Sequence, residues 1–299
     1  MKKFLVLIMT LVLAISAVGC GSSSDEGTTT LKVGGKAFTE QDLLVHLVAG
    51  IIEGNTDIKV ERKGYLGGTN ILAESIENGD LDIYVEYTGT ALMAVLKEEV
   101  RTDSQEVLDL VTKRYAEEKN LAVLKPLGFN NTYAIMVRKE MADELGIKTI
   151  SDLAAHSADL QFAGTQEFME RQDGFEPFSE IYGMKFNDPK GMDPGLSYTA
   201  LKEGQIDVGT AFATDGRIPA FNLMVLEDDK NFFPPYDAAP IVRQDVIDAH
   251  PEVKELLESL AGKLTDAEMA SLNAQVDIDK KDSQDVAQEW LVKNGFVAE

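Results

Sequence analysis

Short apolar runs alternate with helical patterns along this chain, and that alternation constrains its fold more than any other feature. Residues 31–33, 58–60 and 81–85 are runs of strand length, each followed by a stretch with helical periodicity. The rhythm predicts βαβ units, in which parallel sheets are covered by helices, so the class is α/β. The first helix is the plainest. Leu43, Leu44, Leu47, Val48, Ile51 and Ile52 fall on one face, Thr39 is placed to cap it, and Glu40 and Asp42 follow in its first turn. A second alternating set begins near Thr132 and runs through residues 161–163 and 207–210. The chain ends in helices marked by a capping box, Thr265-x-x-Glu268, and by Ser283 leading to Trp290 with Gly295 as the stop.

Two segments of the middle echo each other. ENGDLDIYVEY (residues 77–87) and KEGQIDVGTAF (residues 202–212) share a helix end, a glycine, an apolar-Asp-apolar strand start and an aromatic eight residues after the glycine. Each pattern puts a ring at the carboxyl end of a strand, the edge where ligands bind in open α/β sheets, and two such edges facing each other make a cleft. Two βα units of similar composition would look the same without any cleft.

The N-terminus, MKKFLVLIMTLVLAISAVGC, carries two lysines, an apolar run and small residues ending at a cysteine. This reads as a secretory signal over residues 1–19, too short and too weakly flanked to be a committed membrane span. Residues 17–20 (AVGC) resemble a bacterial lipobox, so Cys20 is the expected lipidation site and the protein is expected to be extracytoplasmic and lipid-anchored to the cell membrane. Residues 20–30 are polar and aperiodic, as in a flexible tether. Cys20 is the single cysteine, which rules out an internal disulfide and a catalytic or metal-binding thiol in the folded part. The formal net charge is −23, two units more negative once Lys2 and Lys3 leave with the signal. Such acidity argues against nucleic acid and anionic headgroups as partners.

Little supports catalysis. His46, His156 and His250 have no metal-ligand spacing and read as surface or helix-end residues. There is no GxSxG, Walker loop or GxGxxG, so no catalytic residue, cofactor or metal is expected, and binding without turnover is the better class. The segment VGGKAFTEQ (residues 33–41) reads as a strand end, a glycine pair, a lysine and a helix start, a junction whose N–H groups and Lys36 can hold an anion. Aromatics make up 7% of the chain, yet Tyr87, Tyr133, Phe212 and Tyr236 sit in turn-like surroundings. Rings at strand ends usually belong to the core. Four of them converging would make a box for a cation that lacks hydrogen-bond donors.

VGGKAFTEQ, LGGT, GDLDIYVEYTGTAL, GFNNTYA, TQEFMERQDGF, ATDGRI and LEDDKNFFPPYDAAP occur here in this order. In that set the chain, from about Leu31 onward, resembles the osmoprotectant-binding lipoproteins of ABC importers for glycine betaine, choline and carnitine. The resemblance implies a type II periplasmic-binding-protein-like fold, two lobes with a ligand cleft between them that close as a hinged clamp. It implies lobe I at residues 31–130 and 237–299, and lobe II at 131–236. Tyr87, Tyr133 and Tyr236 then match three walls of the family's aromatic cage, and Phe212 stands in the fourth, where the family generally has tyrosine. Lys36, Thr90 and Arg171 match contacts to the ligand's carboxylate end, Gln41 and Asn131 match polar lining positions, and Asn70 falls where members vary. Arg171 has a bland alternative, an ion pair with Asp173, and Tyr198 reads as a packing residue. The partners implied are a small quaternary ammonium ligand and an ABC permease, with the receptor a monomer. Another onium solute, such as ergothioneine or proline betaine, an enzyme acting on such a solute, and a sensing lipoprotein without a transporter are the alternatives.

Overall fold

A computed structural model describes residues 29–171 and 174–298. The signal at 1–19, Cys20 with the tether to residue 28, and Asp173 lie outside the described residues.

The strands are β1 (Thr30–Gly34), β2 (Lys59–Lys63), β3 (Ile83–Tyr87), β4 (Leu121–Val123), β5 (Tyr133–Arg138), β6 (Phe162–Thr165), β7 (Lys190–Met192), β8 (Val208–Phe212), β9 (Leu223–Val225) and β10 (Ala238–Arg243). They form two five-stranded sheets, ordered β2-β1-β3-β10-β4 and β7-β6-β8-β5-β9. The chain thus passes from the first sheet to the second between β4 and β5, and returns between β9 and β10. The two passages lie side by side, joined by the Asn130–Asp237 bridge and by the Asn131 N–H to the Tyr236 carbonyl at 3.1 Å.

The sheets are mixed, not parallel as the alternation of runs implied. β10 is antiparallel to β3 and β4, and β5 is antiparallel to β8 and β9. Each is the first strand after a crossing, so it enters its sheet from the side where helix-fed strands end. That reversal has a consequence for the rings. Tyr133 at the start of β5 pairs with Phe212 at the end of β8, and Ala238 at the start of β10 pairs with Tyr87 at the end of β3. The central strand β3 is buried throughout its length, the mark of a strand covered on both faces.

Helix α1 (Thr39–Asn55) buries Leu43, Leu44, Leu47, Val48, Ile51 and Ile52, each contributing about 1.5–3 kcal/mol by leaving water. Thr39 does not cap it. Phe38 holds the cap position without a side-chain bond, and the Thr39 hydroxyl donates to Asp277 at 2.7 Å. Next come α2 (Thr69–Glu77), α3 (Gln166–Glu170) and α4 (Pro194–Lys202), then α5 (Asp266–Asp277) and α6 (Ser283–Lys293) packing against α1. The Thr265–Glu268 capping box forms as expected, and Asp282, one residue before Ser283, caps α6. Gly35 is needed where it stands: a Cβ there would lie 2.8 Å from the Gln41 carbonyl oxygen in the first turn of α1.

Candidate functional site

The echoed segments become β3 and β8, and the rings that close them, Tyr87 and Phe212, meet near one locus between the sheets. Phe38, from the loop before α1, stacks between them, 6.5 Å from Tyr87 and 5.0 Å from Phe212 by ring centroids. Tyr133 lies 5.2 Å from Phe212 and 5.9 Å edge-on from Tyr236. Tyr236 is brought in by the returning crossing, which seats against the end of β3. Thr88 donates its N–H to the Asp237 carbonyl at 3.0 Å and its hydroxyl to the Pro235 carbonyl at 3.2 Å. Gly89 makes that approach possible, since a Cβ would stand 2.6 Å from the Pro235 oxygen. Tyr198 packs in the core as its pattern suggested, and its hydroxyl accepts the Phe212 N–H at 3.0 Å, holding that ring's backbone.

Two cations border the rings, one from each side. Lys36 Nζ lies 5.2 Å from the Tyr87 centroid, and the Arg171 guanidinium carbon lies 5.8 Å from that of Tyr133. Both distances are within cation–π range. Lys36 is buried and donates to Glu86 at 2.6 Å and to the Thr69 hydroxyl at 2.9 Å. Arg171 reaches Thr90 and Glu167, each at 3.5 Å. Burial pushes the Glu86 carboxyl above its ordinary value, with Lys36 pulling the other way.

Beneath the Tyr87 ring, the Glu40 carboxylate collects four donors. One oxygen accepts Tyr87 Oη and Asn131 Nδ2, both at 2.7 Å; the other accepts the Thr214 hydroxyl and Asn273 Nδ2, the latter at 2.9 Å. Burial still raises the Glu40 carboxyl above its usual value, the four donors offsetting part of the desolvation. Beside it Arg217 pairs with Asp215 and, at 3.2 Å, with Asp277 of α5, tying the second sheet's loop to the C-terminal helices.

The structure thus brings Lys36, Tyr87, Thr90, Tyr133, Arg171, Phe212 and Tyr236 to a shared neighbourhood. Gln41 and Asn131 stand just behind it with their amides engaged. Gln41 accepts the Lys36 N–H at 3.2 Å and donates to the Val85 carbonyl at 3.1 Å, and Asn131 bonds Glu40. Asn70 is exposed and lines a cavity of about 470 Å³ with Thr69, Lys97, Glu167, Glu170 and Arg171. Sequence reasoning missed Phe38, Glu40, Glu86, Glu167 and Thr214. Glu86 had a readable signal, because a carboxylate inside the apolar run IYVEY must find a cation if that strand is buried. Glu40 was read only as an acid favouring a helix N-terminus.

Two sheets joined by two crossings, with rings from both converging at strand ends, define a two-lobed solute-binding protein. The profile of a family described as the substrate binding domain of ABC-type glycine betaine transport systems matches residues 29–293, and the chain belongs to that family. It is 38% identical to a carnitine transport binding protein of Listeria monocytogenes, over 99% of this chain and 98% of the relative. It is 40% identical to a glycine-betaine-binding protein of Pseudomonas aeruginosa, over 93% and 92% of the two chains. A solved structure described as a glycine betaine/carnitine/choline ABC transporter superposes with a TM-score of 0.74 at 36% identity, covering 89% of this chain and 99% of that one.

Proposed function

We propose that this protein is the extracytoplasmic receptor of an ABC importer, capturing a quaternary ammonium osmoprotectant without turning it over. Lobe I is residues 31–130 with 237–299, and lobe II is 131–236. The onium head sits among Tyr87, Tyr133, Phe212 and Tyr236, whose faces attract a cation that offers no ordinary donor. Lys36, Thr90 and Arg171 take a carboxylate end, Gln41 and Asn131 hold the walls in place, and Asn70 tunes choice at the rim. Cys20 carries the lipid that tethers the monomer beside its permease. Among the described residues no helix is long and apolar enough to cross a membrane.

The observation that carries this reading is the convergence of Tyr87 and Phe212, strand ends of different sheets, on either side of Phe38. A thermal-shift and calorimetry panel of choline, glycine betaine, carnitine, proline betaine and ergothioneine tests it. A true ligand at a hundred times its Kd stabilises by about 2.7 kcal/mol. A panel with no shift for any member removes the reading, and product formed from choline or betaine would make the protein an enzyme.

A further inference from the structure

The residues proposed to take a carboxylate already belong to a chain of alternating charge that runs across the cleft. Glu86 accepts from Lys36 at 2.6 Å, and Lys36 donates to the Thr69 hydroxyl at 2.9 Å. That hydroxyl donates in turn to Glu167 on α3, which also accepts the Thr69 N–H at 3.3 Å. Glu167 and Thr90 each lie 3.5 Å from Arg171 Nη1. Thr69 opens α2 in the first sheet's half and Glu167 belongs to the second, so this carboxylate reaches across the cleft to a helix N-terminus. It takes up the kind of position a ligand's own carboxylate would seek: a free helix-start N–H, a hydroxyl and an arginine.

We propose that Glu167 is a specificity-determining residue, an internal carboxylate that competes with a ligand's carboxylate for Thr69 and Arg171 and thereby favours onium solutes that lack one. This rests on the onium-binding reading above. Burial pushes the Glu167 carboxyl up, but Lys36, Arg171 and Thr69 hold it below its ordinary value, so its charge persists at neutral pH. A betaine must then either displace Glu167 from Arg171 or bring a second negative charge beside it. Choline meets neither obstacle. The cavity of about 470 Å³ lined by Asn70, Glu167, Glu170 and Arg171 lies alongside this chain, so a displaced Glu167 side chain has space to turn into.

Calorimetry of the wild type, Glu167→Gln and Glu167→Asp against choline, glycine betaine and carnitine tests the inference. The glutamine keeps an oxygen for the Thr69 N–H and removes the charge. It is expected to raise the affinity for glycine betaine and carnitine relative to choline by roughly tenfold or more, the scale of one charge–charge contact at intermediate effective dielectric. Aspartate keeps the charge and should leave the ratio near that of the wild type, with the unfolding midpoint reporting that both variants fold. Equal changes for all three ligands would make Glu167 a latch between the lobes and overturn the inference alone. A wild type that binds none of the three overturns the onium reading, and the inference with it.

Discussion

The Glu40 carboxylate accepts the Tyr87 hydroxyl at 2.7 Å, and through that contact one wall of the ring cluster is tied to the first crossing, to the loop after β8 and to the C-terminal helices. The other donors to Glu40 come from Asn131 in the first crossing, Thr214 after β8 and Asn273 in α5. One side chain in the first turn of α1 therefore gathers four segments that are remote in sequence.

Replacing Glu40 with glutamine puts an amide donor where two donors already point. Whichever way the amide turns, one pair of partners loses an acceptor, and buried polar groups left so cost about 1–3 kcal/mol. Urea unfolding of Glu40→Gln should show a loss of that size. An unchanged midpoint would mean that Glu40 holds nothing together.

The same residue has a pH signature. Its folded-state pKa lies above the ordinary 4.5, so the stability it contributes is full below that value and is lost as pH rises through the folded-state pKa. The wild type should therefore lose ground to Glu40→Gln as pH rises above 4.5 and through the folded-state pKa of Glu40. Glu86, also raised, is common to both proteins and cancels in the difference. A gap that widens with rising pH would contradict the assignment.

Lys36 and Glu86 form a buried pair, with side chains 4% and 0% exposed. Lys36→Met leaves the Glu86 carboxylate without its cation and should cost about 3–5 kcal/mol, while adding Glu86→Gln should restore much of the loss. A double variant no better than the single one would show that the charge of Glu86 is not the cause. Loss of ligand binding in Lys36→Met alone is thus no proof of ligand contact.

The rings can be tested one by one. Tyr87→Ala, Tyr133→Ala and Tyr236→Ala should each weaken onium binding by about 1–2 kcal/mol or more, because ring faces carry the attraction. Phenylalanine should cost less at 133 and 236. At 87 it also removes the bond to Glu40, so stability should fall along with affinity. Three alanine variants with unaltered Kd by calorimetry would place the onium head elsewhere.

Arg171→Ala should weaken glycine betaine or carnitine by about 1.5–3 kcal/mol, the range of a charge-assisted contact, and choline much less. Equal loss for every ligand would identify Arg171 as a closure contact through Thr90 instead.

Cys20→Ser should move the protein from the membrane fraction to the soluble one and abolish fatty-acid labelling, with the unfolding midpoint unchanged. Label that persists on the serine variant would sink the lipobox reading.

The strands β1, β2, β3, β6 and β8, helix α1 and the two C-terminal helices were legible in the chain because they rest on local periodicity. So were Tyr87 and Phe212 as strand-end rings, since the echo encodes their offset from a glycine and an Asp. The mixed sheets were not legible: β5 and β10 look like any apolar run, and their direction depends on where the chain stands after each crossing. The charge network was the other gap. Lys36 and Glu86 are 50 positions apart, Glu40 and Thr214 are 174, and Glu40 and Asn273 are 233. Residue type alone dictates that a buried carboxylate needs a partner. Which partner it receives is decided by the tertiary fold, because charge compensation and hydrogen bonding act over a few ångströms of space and are indifferent to distance along the chain.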